Sequence, residues 1–249
     1  MEVNWHERFL HQASWTKLIR DYLLKKVQLN MNASVLEIGC GTGAVLSDVI
    51  NQDLGKGYGI DLDFNCVLFA TRNNDNLSAV TGDAAALPFP SSSFDLVFCH
   101  YFFLWLEHPR QALYEAYRVI EPGGYFAAFA EPDYDKRIDT PSQLARLGSL
   151  QTRSLRKQGA HPGVGKEITR LLSECGFRLM DFGVSGYEKP RPGIPSWWES
   201  EWQVIKQDLA GLLPLEELER YQELDRASWL GGERVLYIPT YYALSRKPN

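Results

Sequence analysis

The sequence predicts a three-layer α/β domain in which helices cover both faces of a seven-stranded, mostly parallel sheet. Apolar segments of strand length alternate with segments of helical periodicity along most of the 249 residues, a length that suits one large domain. The segment from Phe94 to Cys99 is predominantly apolar, which is typical of a strand buried on both faces of a parallel sheet. A glycine-rich turn, residues 39–43, joins the first predicted strand to the following helix.

The predicted elements follow this alternation from the N-terminus onwards. A helix is predicted over residues 5–28, where aromatic and aliphatic residues recur at three- and four-residue spacing. Strands are predicted at residues 34–38, 58–62, 77–80, 94–99, 125–130, 177–184 and 235–244. Helices are predicted at residues 44–51, 64–72, 109–120, 141–158 and 165–175, and near 197–211 and 215–226. The last two helices belong to an insertion, residues 187–232, between the last two strands.

Composition and charge exclude several classes of protein. The chain carries 26 Lys and Arg against 31 Asp and Glu, a net charge of −5, which argues against a nucleic-acid binder with a basic surface. Its four cysteines form no Cys-x-x-Cys pair, which predicts reduced thiols and a cytoplasmic location rather than a secreted disulfide scaffold. The N-terminus shows no apolar segment typical of a signal peptide. The longest nearly unbroken apolar run, residues 96–106, is too short for a membrane span, which needs about 20 residues.

The residues that directly follow the strands are the candidate ligand-binding residues, because ligands of open α/β sheets lie beyond the carboxyl ends of the strands. Residues 39–43, Gly-Cys-Gly-Thr-Gly, would let the chain turn tightly and approach a ligand closely. The alternative is a strand-to-helix turn without a ligand. The same segment also fits Gly-x-Gly-x-x-Ala, so a nicotinamide or flavin cofactor is a competing interpretation.

Two aspartates follow the second and third strands. Asp61 stands 18 residues beyond Gly43 and could accept both hydroxyls of an adenosine ribose, whereas Asp63 is better placed to cap the next helix. Asp83 could accept the exocyclic amine of an adenine while the Ala84 N–H donates to the ring; the alternative is a turn aspartate. Glycine turn, ribose acid and adenine acid after successive strands together indicate an adenosine-containing cofactor.

Five ordered segments resemble the motifs of class I S-adenosylmethionine-dependent methyltransferases. Residues 35–43 are similar to the first motif of that family, and the later motifs resemble residues 59–63, 82–90, 94–97 and 118–124. The likeness is greatest to the ubiquinone/menaquinone-biosynthesis type and its small-molecule relatives. The resemblance implies a Rossmann-like sheet whose last strand is antiparallel. It disfavours the nicotinamide interpretation, which shares only the first two segments.

The resemblance also implies roles for individual residues toward S-adenosylmethionine. Asp61 would hold the ribose hydroxyls, Leu62 would lie against the adenine, and Asp83 would contact the adenine edge. His100, after the fourth strand, would lie near the sulfonium and the amino group. The full set of implied cofactor-binding residues is Glu37, Gly39, Cys40, Gly41, Asp61, Leu62, Asp83, Ala84, Cys99 and His100.

The methyl acceptor is expected to be a small molecule. No Asn-Pro-Pro-Tyr or Asp-Pro-Pro-Tyr segment, the expected signature of amino-methylation of nucleic-acid bases, follows the fourth strand. No His-Glu-x-x-His segment suggests a catalytic metal. His100 and Tyr101 are the candidate catalytic residues, since the ordinary pKa of histidine, near 6.5, suits a general base; the alternative for His100 is a structural polar contact. Residues 131–134 could also line the acceptor pocket. A non-catalytic cofactor-binding homologue, acting as a sensor or partner subunit, is the alternative to an enzyme.

The sequence is interpreted as a single domain over residues 1–249, with a helical cap at 1–32 and a cofactor-binding core at 33–130. The insertion holds four of the seven tryptophans, at positions 197, 198, 202 and 229. It is predicted either to close over the cofactor as a lid with an apolar or cation-binding pocket, or simply to pack on the domain. The charged run at residues 133–139 is expected to form a solvated loop. The oligomeric state is not predicted.

Overall fold

The computed structural model describes residues 4–27, 29–51, 56–186 and 191–249. Its strands are β1 Val35–Ile38, β2 Gly57–Asp61, β3 Leu77–Thr81, β4 Phe94–His100, β5 Ile120–Pro132, β6 Ile138–Thr140, β7 Arg178–Ser185, β8 Val235–Tyr237 and β9 Thr240–Arg246. Seven of them form one sheet in the order β3-β2-β1-β4-β5-β9-β7. Strands β1 to β5 are mutually parallel, and β9 is antiparallel to both of its neighbours. The predicted fold class is therefore confirmed.

Helices cover both faces of this sheet and produce the three predicted layers. They are α1 Trp5–Trp15, α2 Lys17–Lys26, α3 Ala44–Ile50, α4 Phe64–Asn73, α5 Pro109–Val119, α6 Ala145–Lys157, α7 Ile168–Glu174, α8 Trp198–Leu209 and α9 Leu215–Gly231. Strand β4 shows how the two cores form, because successive side chains of a strand point to opposite faces. Val97 packs with α5 and α7, whereas Leu96 and Phe98 pack with α2, α3 and α4. Both faces of β4 are buried, which explains its apolar sequence.

The predicted single N-terminal helix is in fact two helices that meet at Thr16. The Thr16 hydroxyl donates back to the carbonyls of Gln12 and Ala13, both at 3.3 Å, and lies 2.8 Å from His100 Nε2. A threonine that bonds to the backbone of the preceding turn competes with regular helix geometry. The break coincides with a contact to His100, far along the chain, which local periodicity does not show. Gln28, the last residue of the predicted helix, lies outside the described residues.

The predicted last strand, residues 235–244, is also two elements. Strand β8 pairs antiparallel with β6 in a separate two-stranded sheet, and only β9 joins the central sheet. Pro239 stands between β8 and β9 and has no N–H to donate to a ladder, which is consistent with the interruption. Strand β6 itself was not predicted.

The charged run at residues 133–139, which the sequence predicts to be a solvated loop with internal pairs, is only partly solvated: Asp135, Lys136 and Ile138 are exposed, and Arg137 pairs with Asp139 inside the run, but its two other aspartates are buried. Asp133 is completely buried, and Asp139 is nearly so. Arg137 Nε donates to Asp139 Oδ2 at 2.8 Å, and Arg234 Nη2 donates to Asp139 Oδ1 at 2.7 Å. The second partner of Asp139, Arg234, lies just beyond the insertion and 95 positions further along the chain, so the local sequence pattern could not reveal it.

The insertion packs on the domain through a small core of its own. Residues 187–190 lie outside the described part of the chain; from 191 onwards α8 and α9 are its main elements. Trp198 and Trp202 are buried in a cluster with Leu144 and Leu147 beside α6. Both indole N–H groups donate to one carboxylate oxygen of Asp225, at 2.6 and 2.9 Å. These two tryptophans therefore serve packing.

None of the helices in the described parts of the chain combines the length and the apolar character that crossing a lipid bilayer requires.

Candidate active site

A cavity of about 360 Å³ lies at the carboxyl ends of the parallel strands. Its size is within the range of about 300–1,000 Å³ typical of small-molecule sites. The wall formed by the strand ends, which we call the strand-end wall, consists of Glu37, Gly39, Cys40, Gly41, Asp61, Leu62, Gly82, Asp83, Ala84, His100, Tyr101 and Phe102. Nine of the ten predicted cofactor-binding residues are in this set, and Cys99 is the exception. The site therefore lies where the fold predicts it.

The glycine turn requires its glycines for steric reasons. Gly39 has φ +72°, and a Cβ on it would lie 2.4 Å from the ring of Phe102. A Cβ on Gly41 would lie 3.0 Å from Phe9 of α1, so this helix covers the turn closely. His6, also on α1, places Nδ1 2.9 Å from Thr42 Oγ1. The turn is thus held between β4 and the N-terminal helix.

The two aspartates at the carboxyl end of β2 make different contacts. Asp61 lines the cavity, and its two carboxylate oxygens accept the N–H groups of Gly41, at 2.7 Å, and Asp63, at 2.9 Å. Each carboxylate oxygen has two lone pairs, so Asp61 can still accept two hydroxyl groups. Asp63 accepts from the N–H groups of Asn65 and Cys66 and caps α4. The predicted capping role of Asp63 is confirmed.

Asp83 combines both interpretations considered for it. Its Oδ1 accepts the Ala85 N–H at 2.8 Å, which is the contact of a turn aspartate. The same side chain is exposed and lines the cavity together with Ala84. The turn contact uses one oxygen and orients the carboxylate, while the other oxygen remains available to a ligand.

Glu37 is the residue whose surroundings most directly require a ligand. Its carboxyl group is buried against the cavity, and Oε2 has no hydrogen-bond partner among the described residues. Burial raises the pKa of Glu37 well above its usual value. A buried oxygen without a partner is costly, so a bound group that donates a hydrogen bond or carries positive charge would stabilise it. The amino group of S-adenosylmethionine has both properties, and this end of the cavity therefore fits that cofactor.

Cys99 does not line the cavity, and its predicted place beside the cofactor is wrong. The thiol is fully buried behind the strand end and donates to Glu131 Oε1 at 3.4 Å. Glu131 also accepts the N–H groups of Phe102, at 3.2 Å, and Phe103, at 2.9 Å. Burial raises the pKa of Glu131 to about 8. Glu131 thus does not line the acceptor pocket either; it fixes the loop after β4.

His100 and Tyr101 both face the cavity, but neither has the pKa of a general base. Burial, with a smaller contribution from the charge of Arg20, lowers the pKa of His100 to about 3. Its ring is therefore neutral at neutral pH and a weak base, and its 2.8 Å contact with Thr16 fits the structural alternative. Tyr101 adopts φ +53°, rare for a non-glycine residue, and burial raises the pKa of its phenol. The two groups can orient a ligand and offer neutral hydrogen bonds.

A second wall, which we call the helix wall, closes the cavity opposite the strand ends. It is formed by side chains from α1, from the segment after β4, from Tyr134, and from α6 and α8, namely Trp5, Arg8, Phe9, Gln12, Leu104, Trp105, Leu106, Tyr134, Gln151, Leu155, Gln158, Val204 and Asp208. Tyr134 was among the sequence candidates, and Trp5, Arg8 and Phe9 belong to the N-terminal helix, which the sequence predicts to set the identity of the acceptor together with the insertion. The four insertion tryptophans are not part of the cavity lining, but the insertion contributes Val204 and Asp208. No local pattern marked Val204, Asp208 or the glutamines of α6, since they meet only through packing of α6 against α8.

Helix α1 connects the two walls. Arg8 forms an ion pair with Glu201 of α8, and both side chains are largely buried. The Trp15 ring packs edge-on against Trp197, with ring centroids 5.3 Å apart. Together with the contact between His6 and Thr42, these interactions fix α1 across the glycine turn and the insertion.

The chain is similar in sequence to known methyltransferases and to an uncharacterized protein. Residues 36–128 match the protein family described as "Methyltransferase domain". The chain is 32% identical over 181 residues to an uncharacterized 37.1 kDa protein of transposon TN4556 from Streptomyces fradiae, an alignment covering 69% of this chain and 52% of that protein. It is 34% identical over 118 residues to the malonyl-[acyl-carrier protein] O-methyltransferase of Marinomonas sp. strain MWYL1, covering 45% of this chain and 43% of that enzyme. The chain thus spans about half the length of these relatives or less.

The fold agrees with that of a solved structure at low sequence identity. A proposed methyltransferase of Bacillus halodurans C-125 superposes with a TM-score of 0.61 at 20% identity, covering 92% of this chain and 98% of that one. The agreement extends through the helical insertion as well as the residues of the family match. It supports the fold assignment alone.

Proposed function

We propose that this chain, whose residues 36–128 belong to the family of class I S-adenosylmethionine-dependent methyltransferase domains, transfers a methyl group from that cofactor to a small-molecule acceptor. The observation that carries the proposal is the cavity, which joins Asp61, Asp83 and the unpartnered Glu37 on one wall to a separate helix wall. The strand-end wall offers the hydrogen-bond acceptors that an adenosine and an amino group need. The other wall encloses space for a second molecule.

The residues of the strand-end wall bind and orient the cofactor in this proposal. Asp61 accepts the ribose hydroxyls, Asp83 and the Ala84 N–H contact the adenine edge, and Glu37 contacts the amino group. When bound, the cofactor supplies a methyl group on a sulfonium, which carries its own activation. The chain therefore has mainly to position the acceptor, and correct placement of two reactants is worth about 7–11 kcal/mol.

His100 and Tyr101 are proposed as orienting residues rather than as a base. A histidine with a pKa of about 3 has little tendency to take up a proton at neutral pH. Tyr101, beside it, keeps its proton and can donate a hydrogen bond to the acceptor. The acceptor must then arrive with a lone pair that is already nucleophilic, or lose its proton to solvent.

Thermal unfolding with and without ligand tests the cofactor site. S-adenosylmethionine and its demethylated product, each at about 100 times its Kd, should stabilise the chain by roughly 2.7 kcal/mol. For a chain of this size the expected rise in Tm is about 5–10 °C. NADH at the same concentration should produce no rise. A rise with NADH alone would contradict the proposal and return the glycine turn to the nicotinamide interpretation.

Two neighbouring substitutions provide a matched pair for this measurement. Asp61→Asn removes one of the two oxygens that accept the ribose hydroxyls and should abolish most of the ligand-induced rise. Asp63→Asn removes the same charge two residues away, outside the cavity, and asparagine caps helices as well as aspartate does. Its ligand-induced rise should match that of the unmodified chain. Equal losses in both variants would argue against Asp61 as a ligand.

Turnover distinguishes an enzyme from a non-catalytic cofactor-binding protein. Incubation with methyl-labelled S-adenosylmethionine and a fractionated small-molecule extract should transfer the label to a compound below the size of a peptide. Label found only in protein or nucleic acid would contradict a small-molecule acceptor. Tight cofactor binding without any transfer would favour the sensor or partner-subunit alternative.

A further inference from the structure

One face of α8 carries two acidic residues, Glu201 and Asp208; Asp208 belongs to the helix wall and Glu201 lies beside it, and among the described residues only Glu201 has an ion-pair partner. Glu201 and Asp208 are seven residues apart, so they lie on the same side of the helix. Glu201 forms a largely buried ion pair with Arg8. Asp208 lines the cavity, and no cationic side chain of the described residues lies within ion-pair distance of its carboxylate. The two carboxylates thus differ in whether the protein neutralises them.

The partners of Asp208 are two glutamines of α6. Gln158 Nε2 donates to Oδ1 at 3.0 Å, and Gln151 Nε2 donates to Oδ2 at 3.3 Å. Neutral amides orient a carboxylate without cancelling its charge. Since a carboxylate offers about four lone-pair sites and two are used, Asp208 keeps capacity for further donors.

The orientation of Gln151 is fixed by a buried ion pair behind it. Arg137 Nη1 donates to Gln151 Oε1 at 2.6 Å, and Arg137 is itself held by Asp139 at 2.8 Å. An arginine can only donate, so the glutamine oxygen must face it, and the NH₂ group must face Asp208. The NH₂ group of Gln151 therefore donates to the Asp208 carboxylate, which acts as the hydrogen-bond acceptor.

The position of Asp208 makes an unneutralised charge costly. It stands next to Leu209, the last residue of α8, where the helix dipole disfavours negative charge. Burial raises the pKa of Asp208. A positively charged group in the cavity would offset both effects. The neighbouring lining supplies apolar and aromatic surface from Leu155, Val204 and Tyr134 for the body of such a molecule.

Resting on the proposed methyltransferase function, we propose that Asp208 determines acceptor specificity and that the acceptor carries an amine, whose ammonium group is recognised by this carboxylate. The ammonium has no free lone pair, so transfer to that same nitrogen requires that it first lose its proton to solvent, whereas transfer to another atom of the molecule leaves the ion pair intact. The body of the amine packs against the apolar part of the helix wall. An acceptor carrying a carboxylate is disfavoured, because Arg8, the one cation of the cavity lining in the described residues, is already paired with Glu201. Gln151 and Gln158 act as positioning residues.

Calorimetric titration of the chain saturated with S-adenosylhomocysteine tests this inference. The probes are matched amines, alcohols and carboxylates on three bodies, namely phenylethyl, indolylethyl and hexyl. At least one amine should bind about tenfold tighter than its matched alcohol and carboxylate, a difference of about 1.4 kcal/mol. In Asp208→Asn the preference for the amine should fall below about twofold, since the ion pair is lost while the size of the side chain is retained; the Asn oxygen can still accept from Gln151, and the amide of Gln158 can reverse to accept from the new NH₂ group.

Glu199→Gln is the matched control, because Glu199 is an exposed acid of the same helix and does not line the cavity. It should retain the full amine preference. Equal binding of amines and carboxylates, an amine preference that survives Asp208→Asn, or no binding of any amine would overturn the inference.

S-adenosylhomocysteine binding itself separates this inference from the proposed function. Asp208→Asn should bind S-adenosylhomocysteine as tightly as the unmodified chain does. If the unmodified chain binds no S-adenosylhomocysteine, the proposed function fails, and the inference fails with it. If it binds normally but shows no amine preference, only the inference fails.

Discussion

The two walls of the cavity differ in how they are built. The strand-end wall is made by residues at or directly after the carboxyl ends of β1, β2, β3 and β4, so their positions are fixed by short local segments such as residues 39–43. The helix wall is assembled from elements separated by up to about 200 positions, and is joined by pairs such as Arg8 with Glu201. The first wall depends on backbone geometry and the second on side-chain contacts. We therefore expect substitutions to affect the two walls in different ways.

The largest expected effect is on the insertion that supports the helix wall. Asp225 accepts from Trp198, Trp202 and Arg234 in the buried region beside α8. Asp225→Ala would leave two buried indole N–H groups without an acceptor and remove one of the two carboxylates that pair with the buried Arg234, the other being Asp139, which should lower the free energy of unfolding by about 3–5 kcal/mol. Urea unfolding measures the loss. Glu223→Ala, an exposed acid on the same helix, should change stability by less than about 0.5 kcal/mol.

A smaller effect is expected from a change in the strand-end wall. Gly39→Ala forces a positive φ on an alanine and places its Cβ 2.4 Å from Phe102. The strain alone costs roughly 1–2 kcal/mol, and displacement of Phe102 should weaken cofactor binding as well. Gly159→Ala is the control, because Gly159 also has positive φ but open space around its Cβ position. If both variants bind S-adenosylhomocysteine normally, the close approach at Gly39 does not matter for the cofactor.

The stability of the chain should depend on pH through Glu131, which fixes the loop after β4. Its folded-state pKa of about 8 is raised from about 4.5, so the folded chain binds the extra proton between these values. Stability should therefore fall as pH rises through this window, by at most about 1.4 kcal/mol per pH unit. Glu131→Gln keeps one acceptor oxygen, enough for one of the Phe102 and Phe103 N–H groups, and removes the titrating group, so it should lower the overall stability but flatten this part of the profile. Thermal unfolding between pH 5 and pH 8 measures the slope, and an unchanged slope would contradict the role of Glu131.

His100 should produce a smaller pH dependence of the opposite sign. Its folded-state pKa is lowered from about 6.5 to about 3, so below pH 6.5 the unfolded chain binds the extra proton. Stability should fall as pH falls from about 6.5 towards 3. His100→Gln still offers Thr16 a hydrogen-bond partner and should reduce this loss. Because His100 is partly exposed at the cavity, we expect its slope to be shallower than that of Glu131.

Most of the sheet was predictable because each strand carries its own signal. The apolar run of residues 94–99 forms β4, Asp61 ends β2, and Asp63 caps α4, as the sequence pattern predicts. The predictions differ from the structure where residues that are remote in the sequence come into contact. Thr16 breaks the N-terminal helix in contact with His100, and Asp133 is buried although its neighbours in the sequence are charged.

The candidate site divides in the same way. The glycine turn, Asp61 and Asp83 are separated by short strands and helices of ordinary length, so a sequence pattern can record them. Cys99 was misplaced because a strand residue can point to either face, and here the thiol turns away from the cavity to Glu131. Gln151 and Asp208 could not be identified at all, since α6 and α8 are about 50 residues apart and meet only in the folded chain.

The sequence by itself determined the three-layer fold, the order of its strands along the chain and the cofactor side of the cavity. Those features depend on periodicity and on short turns, whose energetics are local. Tertiary structure alone decided the lowered pKa of His100, the pairing of Arg8 with Glu201 and the unneutralised charge of Asp208. These properties depend on burial and on which charges lie within a few ångströms of one another. Both are set by the packing of segments that are remote in the chain.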